Sequence, residues 1–384
     1  MVEWTSIGSL LTRKRKKAKQ MNEVAPVYAV TNDKGFVLSS SLHDFTIHSE
    51  DTSNYMVVEK NDFAYNPSRL NIGSIAYFSD EGKGLISPMY VVFHADEEKV
   101  LSAYLFITIK SEAIRNKIDS LKEVGARFRF DFERWNLIKI PIPPLSEQTR
   151  IVSLLDTFTS SITNLKQQIA ERRKQYEHYR DQLLDLEGKE GVEMKTLGEV
   201  VSSDCSLSYG IVQPGEDVID GIPVVRPVDL ISTYIKLDGL KKTQQQISES
   251  YKRTILRGNE ILFCVRGTTG TMGLATSELK GCNVTRGIVP ISFDNEITKM
   301  FVFYQLKSFR LQKIIDEKTN GTALRQINIK DLRLLHLCFP PLSEQSRIVS
   351  LLDTFEASIS NLEAQLKERE KQYEYYRNQL LSFK

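Results

Sequence analysis

The stretch PPLSEQTRIVSLLDTF at residues 143–158 recurs as PPLSEQSRIVSLLDTF at residues 340–355, 197 positions later. Extended without a gap to residues 143–184 and 340–381, the two stretches share 31 identities in 42 positions. A match of this length does not arise by chance, and an internal repeat defines the architecture of a chain before any local motif does. We therefore interpret the chain as a tandem duplication in which each half ends in a nearly constant segment.

Weaker matches at the same offset extend the repeat upstream. Arg69 and Gly73 in RLNIGSIAY align with Arg266 and Gly270 in RGTTGTMGLA, for example. Each half is therefore a variable segment followed by a constant one. The predicted domain limits are 1–142 for the first variable domain, 143–189 for the first helical segment, 190–339 for the second variable domain and 340–384 for the second helical segment.

The constant segments have the periodicity of a coiled coil. Apolar residues alternate four and three positions apart, which places them on one seam of a long helix. Two such seams in one chain most simply bury each other. Proline pairs stop the preceding strands, and Ser146 and Ser343 are predicted N-caps. The predicted seam includes Ile151, Leu155, Phe158, Ile162 and Tyr176 in the first copy and Ile348, Leu352, Phe355, Ile359 and Tyr373 in the second.

The variable segments read as compact domains of α/β (α+β) type. Short runs of β-branched and aromatic residues, such as YVVF, EILFCV and IVPISF, alternate with turns rich in Gly, Asn and Asp. One helix is predicted near the end of each domain, around EAIRNKIDSL and around YQLKSFRLQKIID.

No motif for catalysis or for a metal is visible. The sequence has no phosphate-binding GxxxxGK[ST] loop and no HExxH, and the closest match to a methyl-transfer motif, YNPSR, lacks the second proline. The four cysteines have no CxxC spacing, which favours structural free thiols.

No apolar run is long enough for a transmembrane helix, and the basic residues near the start follow a short apolar stretch, the reverse of a signal peptide. A cytoplasmic location is expected.

Binding chemistry is better supported than catalysis. The net charge is only +2, so any nucleic-acid site must be basic locally. The run TRKRKKAK could contact phosphates through Arg13, Arg15 and Lys16, although such a run is more often a solvated helix face.

Arginines in polar turns are candidates for reading bases, because a guanidinium can donate two hydrogen bonds to guanine. A structural arginine that fixes a turn is the alternative for each. Loops before the helical segments add further candidates. The predicted DNA-contacting residues in these turns and loops are Arg69, Asn71, Arg127, Arg266, Thr268, Thr269, Arg286, Arg325 and Gln326.

The element IPIPPLSEQ, repeated at the end of each variable domain as PPLSEQ, resembles the specificity subunit of type I restriction–modification systems. YGIVQPG, RGNEILFCVRGTTGTMG, TRGIVPI and NGTALRQINIKDL are similar to the second-domain pattern of that family, and DFAYNPSRLNIGSIAYF to the first. The resemblance covers nearly the whole chain. It implies two target recognition domains joined by two long helices that pack as an antiparallel coiled coil with a pseudo-twofold repeat.

The resemblance also implies a non-catalytic subunit that reads a bipartite, asymmetric sequence in double-stranded DNA. Methyltransferase subunits, two of them by the symmetry of the repeat, would dock on the helices, and restriction subunits would join through the complex. No cofactor is expected in this chain, since S-adenosylmethionine, ATP and Mg would be bound by the partners. No membrane is implied. The alternative is a coiled-coil scaffold whose two domains bind proteins; only DNA binding should weaken steeply with salt.

Overall fold

A computed structural model describes residues 2–21, 24–32, 35–41, 51–121, 128–321 and 325–383. The chain divides into two compact units. The first unit comprises Met1–Lys166 with Ala364–Lys384, and the second unit comprises Gln167–Glu363. Each unit therefore combines one globular domain with parts of both long helices.

The first unit contains most of the strands. They are β1 (Glu3–Ser6), β2 (Leu11–Lys14), β3 (Val27–Thr31), β4 (Gly35–Leu38), β5 (Met56–Glu59), β6 (Asp62–Tyr65), β7 (Ile75–Tyr77), β8 (Lys83–Ile86), β9 (Val91–Ala95) and β10 (Lys139–Ile142). Its short helices are α1 (Ser102–Ile109) and α2 (Glu112–Ser120). The strands form two four-stranded sheets, in the orders β2-β9-β6-β7 and β4-β3-β8-β5, and β1 pairs with β10.

An aromatic core fills the space beside the first sheet. Phe63 on β6 and Phe93 on β9 occupy opposite positions in the strand register, and their rings stack with centroids 4.9 Å apart. Phe130 and Trp135 pack edge to face beside them at 4.8 Å. All four side chains are fully buried. Aromatic pairs in such geometries stabilise a core beyond the burial of their surface alone.

After the helix α3 (Leu145–Leu183), the second unit repeats this organisation with fewer strands. Its elements are β11 (Glu193–Thr196), α4 (Leu197–Val200), β12 (Ile222–Val225), β13 (Lys241–Thr243), α5 (Gln245–Ser250), β14 (Ile261–Cys264), β15 (Met272–Leu274), β16 (Asn283–Val284), β17 (Ile288–Ile291), α6 (Glu296–Lys307), α7 (Phe309–Glu317), α8 (Ile329–Arg333) and β18 (His336–Phe339). The second long helix, α9 (Leu342–Leu380), follows β18 and, like α3, contributes to both units. The sheets are β15-β14-β17, β13-β12-β16 and β11-β18.

The same three-stranded core arrangement occurs in both units. A central strand, β6 or β14, pairs antiparallel with the strand that follows it, β7 or β15, and with a later strand, β9 or β17. The strand before each long helix, β10 or β18, pairs antiparallel with the first strand of its unit. The prediction of two mixed domains and two long helices is confirmed.

The helix prediction within the second domain needs a correction. The stretch YQLKSFRLQKIID forms parts of two helices, α6 and α7, and not one. Ser308 has extended backbone angles between them, and its side-chain oxygen accepts a hydrogen bond from the backbone N–H of Leu311 at 3.4 Å. Ser308 therefore ends α6 and caps α7.

The long helices begin two residues earlier than the predicted N-caps require. They start at Leu145 and Leu342, so Ser146 and Ser343 lie inside the first turn and the N-cap prediction is wrong. The backbone carbonyl of the second proline of each pair, Pro144 in the first copy, already accepts helical N–H bonds, at 2.9 and 3.0 Å. The prolines thus end the strand and start the helix at the same point.

Within each unit, the two long helices run antiparallel. In the first unit the rings of Phe158 and Tyr376 lie 5.3 Å apart, and in the second unit those of Phe355 and Tyr179 lie 5.5 Å apart. These are the same two repeat positions, exchanged between the copies. The seam residues Ile151 and Leu155 and their counterparts Ile348 and Leu352 are fully buried, whereas Phe158, Ile162, Phe355, Ile359 and Tyr373 are half-buried and Tyr176 is buried.

A buried glutamine fastens each helix to its globular domain. The amide oxygen of Gln148 accepts a hydrogen bond from the backbone N–H of Leu101 at 2.9 Å, and its nitrogen donates to the carbonyls of Lys99 and Pro143 at 2.9 and 2.8 Å. Gln345 donates to Pro340 at 2.9 Å in the second unit. The glutamine of the repeated PPLSEQ element is therefore a structural residue.

Candidate nucleic-acid interface

Two loops of the second unit bring five predicted DNA-contacting residues together. The loop after β14, residues 265–271, carries Arg266, Thr268 and Thr269. The backbone N–H of Gly267 and the hydroxyl of Thr269 both donate to the carbonyl of Arg325, at 2.9 and 3.0 Å. Arg266 and Gln326 form a single antiparallel bridge. Residues separated by about 60 positions in the sequence thus lie side by side.

A third loop joins this group and carries Arg286. The backbone N–H of Val265 donates to the carbonyl of Gly287 at 2.8 Å, and that of Arg286 donates to Ile211 at 2.8 Å. We call residues 265–271, 285–287 and 325–327 the loop cluster. Its three arginines, Arg266, Arg286 and Arg325, come from three separate segments of the chain.

The three arginines of the loop cluster differ in their availability to a ligand. Arg325 is exposed but donates to the carboxylate of Asp316. Arg286 is exposed and Arg266 is half-buried, and neither side chain has a hydrogen bond or an ion pair with another part of the chain that the structure describes. These two guanidinium groups can therefore donate hydrogen bonds to an anion or to a base edge without first breaking an ion pair.

Glycines set the backbone of the first loop. Gly267 and Gly270 have φ angles of +93° and +90°, which side chains of L-residues rarely adopt. The hydroxyl groups of Thr268 and Thr271 lie 3.1 Å apart across this turn. The turn leads directly into β15 and does not open a helix.

The basic run of the first unit begins on β2 and continues through irregular chain into a 3₁₀ turn at Ala18–Gln20, so it is not the face of an α-helix. Arg13 lies on β2, its guanidinium carbon 5.9 Å from the ring centre of Phe132 and its Nη1 3.9 Å from Glu133. Lys16 pairs with Glu59 at 3.3 Å. Arg15 is exposed. Part of the positive charge predicted here is thus compensated by carboxylates.

Lys14, in the same run, is the most tightly paired of these cations. Its ammonium lies 2.8 Å from the buried carboxylate of Asp62 and 3.0 Å from Glu59. Partial burial lowers the pKa of Lys14, but the hydrogen bonds to Asp62 and Glu59 outweigh it, so that the pKa is raised above its usual value. Lys14 is therefore a structural cation that ties β2 to β6 and to the end of β5.

The remaining candidates of the first unit lie in a different place. Arg69 is exposed at the start of a short 3₁₀ turn, Leu70–Ile72, in the loop between β6 and β7, and Asn71 is half-buried within that turn. No hydrogen bond among the described residues joins this turn to the basic run on β2. Arg127 lies outside the described residues.

Two features of this surface were not foreseen. Asp316 compensates Arg325, although nothing in the spacing of the two residues singles out this carboxylate among many. Gly287 lets its loop pack against Pro227, since a Cβ at position 287 would lie 2.6 Å from the ring of that proline. Only the folded contacts show either role.

Comparison with known proteins identifies the family. The family model described as "Type I restriction modification DNA specificity domain" matches twice, at residues 3–172 and 189–370. The chain belongs to this family of specificity subunits. The two matches correspond to the two halves of the duplication, so the repeat is a repeat of the family's own domain.

Individual relatives agree with this assignment. The specificity subunit of the Escherichia coli type I restriction enzyme EcoR124I/EcoR124II is 27% identical over 405 residues, which cover 100% of this chain and 94% of that protein. A putative MjaX specificity subunit from Methanocaldococcus jannaschii is 22% identical and covers 97% of this chain and 89% of its own length.

Solved structures show the same fold. A chain from a study of complex assembly in a type I restriction–modification system aligns with a TM-score of 0.60 at 19% identity, covering 99% of this specificity subunit and 97% of that chain. The S subunit from M. genitalium aligns with a TM-score of 0.58 at 13% identity, covering 100% and 97%. None of the helices in the described ranges is long and apolar enough to cross a membrane.

Proposed function

We propose that this specificity subunit reads a two-part, asymmetric sequence in double-stranded DNA, one part with each globular domain. The observation that carries the proposal is the loop cluster, in which Arg266 and Arg286 present guanidinium groups that have no hydrogen-bond or ion-pair partner among the residues the structure describes. A specificity subunit must distinguish bases, and a guanidinium that donates to guanine O6 and N7 discriminates by about 1–3 kcal/mol.

In this proposal, one set of residues holds the protein on the DNA backbone and another set reads the bases. The exposed Arg15 and the partly compensated Arg13 and Lys16 contact phosphates, which supplies affinity without sequence information. Arg266, Thr268 and Gln326 face base edges. Because the whole chain carries a net charge of only +2, its affinity depends on these local groups.

The helices dock methyltransferase subunits, two of them in this proposal. The support is a surface that occurs once on each helix. Glu147 and Arg150 form an exposed ion pair at 2.8 Å in the first copy, and Glu344 and Arg347 form the same pair at 2.7 Å in the second. Leu154 and its counterpart Leu351 are exposed, by 37% and 41%. Two equal surfaces fit two copies of one partner.

The chemical steps are carried out by the partner subunits. In this proposal the chain is non-catalytic and holds no cofactor, while the methyltransferase subunits bind S-adenosylmethionine and the restriction subunits, recruited through the complex, use ATP and Mg. The complex acts on DNA in the cytoplasm.

Methylation mapping tests the proposal directly. Genomic DNA from a host with the gene should carry a methylated motif of two defined parts separated by an undefined gap, and deletion of the gene should abolish methylation of both parts. A methylation pattern unchanged by the deletion would refute it.

Binding measurements on the complex provide a second test. The logarithm of its association constant for a target oligonucleotide should fall linearly with the logarithm of salt concentration, because the phosphates that the protein neutralises release their counterions. A scaffold with two protein-binding domains, the alternative from the sequence, would show no affinity for the target at any salt concentration.

A further inference from the structure

The two helical copies differ at 11 of their 42 aligned positions, and two of these differences invert charge. Lys166 in the first copy corresponds to Glu363 in the second, and Arg173 corresponds to Glu370. Both positions therefore carry a positive side chain in the first copy and a negative side chain in the second.

The inverted positions meet each other across the helix pair. In the first unit, Nζ of Lys166 lies 3.1 Å from Oε1 of Glu370. In the second unit, Nη2 of Arg173 lies 2.5 Å from Oε1 of Glu363. Each ion pair thus takes one residue from each copy, and each joins the two repeat positions at which charge is inverted.

Pairing between two identical copies would turn both attractions into repulsions. If two first-copy helices met in this antiparallel register, Lys166 would face Arg173 twice. If two second-copy helices met, Glu363 would face Glu370 twice. Charged residues that flank an apolar seam select partners in coiled coils in this way.

A third difference lies outside the helix pair, near the end of each long helix. Asp181, near the end of the first helix, accepts a hydrogen bond from the backbone N–H of Phe309 at 3.0 Å. A carboxylate is favourable there because Phe309 begins α7, where helical N–H groups lack partners. The counterpart in the second copy is the neutral Asn378, which lines a surface cavity together with Glu112 at the start of α2.

A fourth difference adds a contact between the two copies within the second unit. Glu356 of the second copy accepts a hydrogen bond from the hydroxyl of Tyr176 of the first copy at 3.0 Å, and Lys307 lies 3.2 Å from the same carboxylate. The first copy has Thr159 at this position. The differences between the copies therefore include several residues that touch the other copy or its neighbouring domain.

We propose that the four residues of the two inverted ion pairs form a charge code by which each helical copy pairs with the other copy and rejects a second helix of its own kind. The partner that the surface fits is the unlike copy, and the partner that it excludes is the like copy of a second molecule. The apolar seam cannot make this choice, because Ile151, Leu155 and Phe158 recur unchanged as their counterparts in the second copy. Only the flanking charges distinguish the two pairings.

Charge reversal in the full-length chain tests the code. The variant Lys166→Glu with Arg173→Glu presents the contacts of two second-copy helices, and Glu363→Lys with Glu370→Arg presents those of two first-copy helices. Each should raise the equilibrium constant of unfolding in urea about tenfold, because two attractive pairs become repulsive. The four-residue variant restores opposite charges and should return the constant to within about threefold of the wild type.

Salt and a control variant complete the test. In 1 M NaCl the Debye length is about 3 Å, so the differences should shrink. Lys174→Glu with Lys371→Glu changes exposed lysines that are identical in both copies, and it should have little effect. The charge code is wrong if the four-residue variant loses as much free energy of unfolding as the two double variants lose in sum. It is also wrong if the control variant loses as much as either double variant. If a two-residue variant does not fold, normal folding of the four-residue variant still supports the code.

Discussion

The loop after β6 and the loop after β14 connect equivalent strands but differ in construction. In the first unit the loop spans nine residues, 66–74, and contains a 3₁₀ turn; in the second it spans seven, 265–271, and bridges to a distant segment. Arg69 and Arg266 align in the repeat, yet Arg69 is the fourth residue after its strand and Arg266 the second.

This difference shows where the two domains are free to diverge. The paired strands keep their register because each side chain must stay on its own face of the sheet. The loops carry no such constraint, and loops on a rigid scaffold are where binding residues concentrate. Equal positions in the aligned sequence therefore do not imply equal positions at the binding surface.

The largest expected effect comes from exchanging one whole domain. Replacing residues 190–339 with the second variable domain of another specificity subunit should change one half of the methylated motif completely and leave the other half unaltered. The helices and the first domain are untouched, so methylation mapping should show the original first half. A change in both halves would mean that the two domains do not read independently.

The next largest effect is expected from replacing each of the two buried glutamines, Gln148 and Gln345. Gln148→Leu removes three hydrogen bonds and leaves the N–H of Leu101 and two carbonyls without partners, which should lower the free energy of unfolding by about 3 kcal/mol. Gln345 makes a bond to Pro340 and a longer one, 3.5 Å, to Thr298. Its replacement by Leu should cost less, about 2 kcal/mol.

Urea titration of both glutamine variants measures the free energy of unfolding that each has lost. Gln379→Leu changes an exposed glutamine of the second helix and is the control, for which little change is expected. Equal losses for positions 148 and 345 would show that the number of hydrogen bonds does not set the strength of the attachment.

The smallest expected effect distinguishes the two aligned arginines. Arg266→Ala should weaken binding of the target DNA by about 2 kcal/mol with the complex intact, because the bridge to Gln326 holds its backbone in place. Arg69→Ala should weaken it less, since among the described residues the backbone N–H and carbonyl of Arg69 bond only within their own loop. Arg253→Ala, at an exposed position outside the loop cluster, is the control.

Competition binding at fixed salt separates base reading from a structural role. Unchanged affinity in Arg266→Ala together with a lower unfolding temperature would identify Arg266 as an arginine that fixes the turn. An equal loss of affinity for Arg69→Ala would show that the two loops contribute equally to DNA binding although their backbones differ.

The sequence alone determined the duplication, the two long helices and the mixed character of both domains. These features depend on periodicity and on local turn chemistry, which are readable within a few residues of each position. Ile151, Leu155 and their counterparts were predicted to be seam residues, and all four are fully buried.

Tertiary structure alone decided which residues meet. Arg266, Arg286 and Arg325 converge because Val265 pairs with Gly287 on one side and with Ile327 on the other, contacts that span 22 and 62 positions of the chain. Likewise, Lys166 and Glu370 form an ion pair only because the two long helices pack in this antiparallel register. Such contacts depend on strand register and helix pairing, which the whole fold fixes and no local pattern records.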